Sequence, residues 1–125
     1  MGLPLSQAQK KYFNSKDARN LISIYKFAIF PIHGVIEDGR CTCGAYPCGK
    51  DNRGAGKHPA TPNGLIDATK DIEQLKKLWQ ERKHLNVGIA TGAVSGIFVV
   101  DIDGEQGEKD IAALGELPRT LTVKT

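Results

Sequence analysis

Three cysteines fall within eight consecutive positions, Cys41, Cys43 and Cys48, and His58 follows in Gly56-Lys57-His58-Pro59, giving the spacing C-x-C-x4-C-x9-H. The surrounding segment, residues 37–61, holds little that can form a core: Ala45, Tyr46 and scattered small residues. An excursion of that length needs another source of order, and a bound ion supplies it. An odd cysteine count, packed this tightly with no export signal ahead of it, argues against a disulfide framework and for a metal clip. Zinc is the expected occupant, because it takes thiolate and imidazole ligands in a tetrahedron. A Cys3His shell fills every position, which makes the site structural rather than catalytic. Pro47, Gly49, Gly54 and Gly56 supply the turns that let distant ligands converge. The competing reading is three free thiols in a loop, with His58 solvated.

At 125 residues, 40% hydrophobic and 25% charged, the chain has the size and composition of one ordinary globular domain, which excludes the disordered, collagenous and membrane classes. A net charge of +3 decides nothing by itself, but its distribution is informative. Between Gly39 and Pro59 stand Arg40, Lys50, Arg53 and Lys57 against Asp51 alone. A basic, glycine-rich loop suits phosphates, although a merely solvated loop has the same composition. No apolar stretch approaches a bilayer span and the N-terminus lacks a secretory core, so a cytoplasmic location is expected. Met1-Gly2-Leu3-Pro4-Leu5-Ser6 fits the loose myristoylation pattern and is read as coincidence.

A second motif carries chemistry of a different kind. In Gly96-Ile97-Phe98-Val99-Val100-Asp101-Ile102-Asp103-Gly104, a β-branched run delivers two carboxylates one residue apart, next to a glycine. Side chains alternate along a strand, so Asp101 and Asp103 are expected on one face with Cα atoms about 7 Å apart. Two such carboxylates repel unless a cation lies between them, and hard oxygen ligands suit Mg²⁺ or Mn²⁺. The alternative is an ordinary turn, for which Asp and Gly are common residues.

Periodicity places the remaining elements. Ala18, Leu21, Ile22 and Tyr25, with Asp17 near the start, predict a helix over 16–26, and Phe27-Ala28-Ile29-Phe30-Pro31-Ile32 predicts a strand. Asp71 and Gln74 form a capping-box pattern that opens a helix through about Lys83, with Ile72, Leu75, Leu78 and Trp79 facing inward. Asn86-Val87-Gly88-Ile89-Ala90-Thr91 predicts a buried strand, and Gly92-Ala93-Val94-Ser95-Gly96 a hairpin turn into a strand that ends at Asp101. A short helix over 108–114 and an alternating strand over 120–124 complete the expectation. His33 and His84 are read as structural, the latter closing a helix. The fold class expected is α/β (α+β): one domain over 1–125 with a small mixed, largely antiparallel sheet, flanking helices, and a zinc-binding insertion at about 37–61.

The order of motifs is itself a pattern: Phe30-Pro31-Ile32-His33, the cysteine loop, Gly56-Lys57-His58-Pro59, Gly64-Leu65-Ile66-Asp67-Ala68-Thr69, Asn86 to Gly92, then Val99-Val100-Asp101-Ile102-Asp103-Gly104. From about residue 20 to 125 it resembles the N-terminal domain of bifunctional DNA primase/polymerases. These belong to the archaeo-eukaryotic primase superfamily of phages, plasmids and integrated elements, and are often fused to a helicase. The resemblance implies a nucleotidyltransferase in DNA replication, acting on nucleoside triphosphates and a DNA template or primer. Asp101 and Asp103 match the paired acidic motif that holds divalent ions, and Cys41, Cys43, Cys48 and His58 match a zinc-bearing insertion of some members. Arg53 and Lys57 are candidate phosphate contacts from their charge. Family members continue into a glycine-rich turn, a strand with a nucleotide-binding histidine and a further carboxylate, none of which is present here. The resemblance therefore implies an incomplete domain, with a helicase or the missing C-terminal half as possible partner.

Two other readings compete. Haloacid-dehalogenase-like phosphatases also begin at a strand ending Asp-x-Asp-Gly, but Glu105 stands where they carry Thr or Val, and 22 residues after Asp103 leave no room for their distal acids. The other is a non-catalytic, zinc-stabilised fragment that binds nucleic acid or a protein partner.

Overall fold

The computed structural model of the chain describes residues 16–80 and 82–124. The hexapeptide at the N-terminus and the side chains of Asp17 and Ala18 lie outside the described part. Two strands, β1 (Ala28–Ile32) and β2 (Asn86–Ala90), pair antiparallel in the register Ala28↔Ala90 through Ile32↔Asn86. Two helices, α1 (Lys16–Ser23) and α2 (Ile72–Trp79), contribute the buried residues Ile22, Leu75 and Trp79, which pack with Ile29 of β1 as one cluster. Val87 and Ile89 of β2 join it, as the period-2 alternation of a strand requires. Ala28, Phe30 and Ala90 form a second cluster, so both faces of β1 are buried. Gly88 sits directly opposite Phe30, and a Cβ there would lie 2.6 Å from the Phe30 ring and 2.7 Å from Ile32 Cδ1, so those side chains would have to shift.

Backbone accounting explains the element ends. Asp71 caps α2 by accepting from Glu73 N (2.8 Å) and Gln74 N (3.2 Å). The reciprocal arm of the expected box is taken by Thr69, whose Oγ1 accepts the Asp71 N–H at 3.0 Å. The helix stops at Trp79 rather than running to Lys83, since Gln80 is left-handed (φ 50°) and Arg82 folds back onto the last carbonyls, from Nε to Trp79 O (3.2 Å) and from Nη2 to Leu78 O (2.7 Å). His84 therefore stands beyond the helix, not in its last turn. In α1 the helix also ends early: Lys26 is left-handed (φ 59°), and Tyr25 lies exposed against Phe27 instead of in the core.

The larger differences follow Ile97. Gly92 to Gly96 forms the expected turn, closed by the Gly92↔Ile97 bridge, but residues 98–100 pair with no strand among the described residues. Phe98, Val99 and Val100 are 84%, 68% and 48% exposed, and residues 120–124 are likewise unpaired, with Leu121 and Val123 exposed. Local β propensity was read correctly at neither place, because a strand exists only where a partner supplies its ladder. The sheet thus has two strands, not the wider sheet expected. The C-terminal helix, α3 (Gly104–Ala113), starts four residues before the expected 108, directly after Asp103 as N-cap, and buries no residue.

Two local contacts give stability predictions. Ser95 is buried and its Oγ accepts the N–H of the fully buried Ala28 at 2.8 Å, clamping the 92–96 turn onto β1. Ser95→Ala is expected to cost about 1–3 kcal/mol in a urea titration, because that N–H loses its partner in the interior. Asp67 accepts from Asn63 N (2.9 Å) and Asn63 Nδ2 (3.2 Å), and these bonds, the backbone one first, hold its carboxyl below the usual range. A depressed carboxylate contributes stability that is full above about pH 4 and is lost as pH falls through the folded-state value. Asp67→Asn should flatten that acid limb of midpoint against pH.

Candidate metal centre

The loop that follows β1 is tied to the strand at both of its ends. On the return side, Ile32 bridges Pro59, His33 N donates to His58 O (2.9 Å) and Ala60 N donates to Pro31 O (2.9 Å). On the outgoing side, Val35 bridges Cys41 and Thr42 N donates to Gly34 O (3.0 Å). Gly34 is required at the junction, since a Cβ there would sit 1.6 Å from the carbonyl oxygen of His84. Gly56 has φ +70°, and a Cβ on it would press to 2.8 Å of Val35 Cγ2. These anchors bring residues 41 and 58 side by side.

The result is a four-ligand cluster. Cys41 Sγ lies 3.4 Å and Cys48 Sγ 3.5 Å from His58 Nε2, Cys43 Sγ lies 3.7 Å from Cys48 Sγ, and all four ligand atoms fall within 4.8 Å of one another. Around zinc, with Zn–S about 2.3 Å and Zn–N about 2.0 Å, a tetrahedron has S···S edges of about 3.8 Å and S···N edges of about 3.5 Å. The Cys41–His58, Cys48–His58 and Cys43–Cys48 edges are close to those lengths, and the donor set is the one zinc prefers, so the residues fit the ion. Cys41 and Cys48 are buried and Cys43 is exposed. No disulfide joins them.

The electrostatics favour thiolate at one corner. Burial raises the Cys41 thiol, but the N–H groups of Cys43 and Gly56 and its bonds to Cys43 and His58 outweigh it and bring it down to about 6. Cys48 goes the other way, pushed up to about 11 by burial and by its neighbouring thiols. A divalent cation at the centre relieves that conflict by stabilising all three thiolates.

Two residues without an expected role, Asn52 and Thr42, hold the cluster together with His33. Asn52 accepts the Cys48 N–H on Oδ1 (2.9 Å) and donates from Nδ2 to Gly39 O (2.9 Å), stapling the two turns of the clip. Thr42 Oγ1 accepts from Gly34 N (3.1 Å) and bonds His33 Nδ1 (2.8 Å), while the His33 ring packs on His58 with centroids 4.6 Å apart. Burial first, then His58 and Arg82, lower the His33 pKa. An asparagine among glycines in a turn-rich loop was the available signal for Asn52; Thr42 had none.

Asp101 and Asp103 stand elsewhere, on the unpaired stretch before α3, both exposed. Asp103 is extended (φ −111°, ψ 120°) and its side chain makes no cap hydrogen bond with α3. Among the described residues, the Cys3His set is the group of three or more ligand-type side chains brought together, and the two aspartates have no third acid beside them. Arg53 and Lys57 are exposed on the clip. Among the described residues, no helix is long and apolar enough to cross a membrane.

A family model described as bifunctional DNA primase/polymerase, N-terminal, matches residues 18–125. The chain belongs to that family. No curated protein and no solved structure matches it.

Proposed function

We propose that this chain is a primase/polymerase-like nucleotidyltransferase domain acting in DNA replication of a phage, plasmid or integrated element, with Asp101 and Asp103 as its metal-binding carboxylates. The family match over residues 18–125 carries the reading. It is supported by the chemistry of the pair: two exposed carboxylates, neither bonded to a cationic side chain among the described residues, remain available to a hard cation. Mg²⁺ or Mn²⁺ bound there supplies charge stabilisation for phosphoryl transfer and activates the attacking oxygen. The chain's own part is to hold that charge at the end of the 97–103 segment, next to the turn that Ser95 fastens to β1. The domain reading is one unit with the zinc clip as an insertion at about 37–61, and Arg53 and Lys57 on that clip face template or nucleotide phosphate. The full domain requires the third carboxylate and the nucleotide-binding histidine from outside these residues, and a fused or separate helicase is a fitting partner. The cytoplasm is where such a domain acts.

A second reading is favoured by one observation, the absence of a third acid beside the aspartates among the described residues. On it the chain is a zinc-stabilised nucleic-acid- or partner-binding fragment. A primed template, labelled nucleotides and Mn²⁺ separate the two. Extension of the primer supports the transferase, and retention of the template without extension supports the binding fragment.

A further inference from the structure

A cleft of about 410 Å³ lies between the C-terminal end of α2 and the return arm of the metal clip. His33, Thr61, Lys77, Gln80 and Arg82 supply its polar lining and Leu78 part of its apolar wall. Every chargeable residue of that lining is basic, and no carboxylate contributes to it among the described residues. The end of a helix ordinarily presents negative carbonyls, which repel anions. Here Arg82 covers them: it donates from Nε to Trp79 O (3.2 Å), from Nη2 to Leu78 O (2.7 Å), and from Nη2 again to Ala60 O on the opposite wall.

This arrangement does two things at once. It fixes the guanidinium plane, and it leaves Nη1 without a hydrogen-bond partner among the described residues. Lys77 is exposed and pairs with no acid among them, whereas its neighbour Lys76 is engaged by Glu73 at 3.1 Å. A planar guanidinium held in place and a free ammonium in the same lining are the donor types that recognise phosphate oxygens, whereas the Thr61 hydroxyl is committed to Gly64 O. None of these residues belongs to the zinc cluster or to the aspartate pair.

We propose that this cleft binds a phosphate group, either a phosphodiester of a nucleic-acid strand or the terminal phosphates of a nucleotide. The proposal rests on the nucleic-acid reading above for the source of the phosphate. Lys77 contributes point charge, and Arg82 contributes the oriented donor while anchoring the end of α2 against Ala60.

The test is an amide chemical-shift titration of the zinc-loaded chain with two probes, a short oligothymidylate and inorganic tripolyphosphate. Shifts centred on Thr61, Lys77 and Gln80 are expected. Their appearance with the oligonucleotide assigns the site to a strand, and with tripolyphosphate alone to a nucleotide. Lys77→Gln, a change at an exposed position, should weaken binding of the responding probe about threefold and reduce the slope of log affinity against log salt by about one. Lys76→Gln, just outside the lining, should leave both unchanged. Oligonucleotide binding whose shifts fall elsewhere, with Lys77→Gln equal to the parent, overturns the cleft and leaves the nucleic-acid reading standing. No response to either probe overturns both.

Discussion

Cys43→Ser is expected to release one zinc ion per chain and to unfold the 33–61 segment. The apparent binding free energy of a structural Cys/His zinc site is about 10–16 kcal/mol near neutral pH. Little else in the clip offsets its loss: Cys41, Cys48 and Ala60 are its buried hydrophobic residues, and the first two are themselves ligands. The remaining order is a set of turn hydrogen bonds, including those of Asn52, and single bonds of this kind contribute about 1 kcal/mol net. Those bonds cannot hold the loop alone. Cys43 is the exposed ligand, so its replacement creates no cavity and isolates the metal term. Elemental analysis reads the stoichiometry, and amide exchange at Thr42, Asn52 and Gly56 reads the order. Because His33 and Ala60 pair with residues at the clip ends, loosening should spread to the last residues of β1 but not to Leu75 and Trp79, which pack in the separate cluster on Ile29. Unchanged zinc content in Cys43→Ser excludes the clip.

Asp101→Asn is expected to abolish primer extension while leaving the fold intact. Losing one charged ligand of a catalytic divalent ion removes several kcal/mol of transition-state stabilisation, and about 4 kcal/mol corresponds to about a thousandfold in rate. The substitution is nearly isosteric at an exposed position, so the urea midpoint should stay within the error of the parent. Asp103→Asn should behave alike, since Asp103 makes no side-chain cap to α3 whose loss would cost stability. Parent and variants are compared under the same template, nucleotide and Mn²⁺ concentrations. Extension at parental rate by either variant removes that aspartate from the site.

The two motifs were legible to different depths for physical reasons. The convergence of Cys41, Cys43, Cys48 and His58 was legible, because metal-ligand types and spacing are written in the residues and the turns needed to close the loop are written in glycines, while the support from Thr42 was not. The β1–β2 pair and α2 were also legible, their apolar residues falling on the periods that burial imposes. Residues 97–100 and 120–124 misled because their β-branched content signals willingness to pair, and pairing is a property of the neighbours. Helix ends were misplaced for a related reason. Arg82 stops α2 by reaching back to carbonyls three and four residues earlier, a contact that no window of hydrophobicity records. Gly34 and Ser95 hold the site from positions whose importance lies in what approaches them, the His84 carbonyl and the Ala28 amide.

Nucleotidyl transfer as proposed requires Asp101 and Asp103 to grip a divalent ion together. Manganese titration of the zinc-loaded chain, followed by the fall of the free Mn²⁺ electron paramagnetic resonance signal, tests this without requiring turnover. The parent is expected to take up Mn²⁺ and each single Asp→Asn variant to lose most of that uptake, with the zinc retained. Equal Mn²⁺ uptake by the parent and both variants contradicts it.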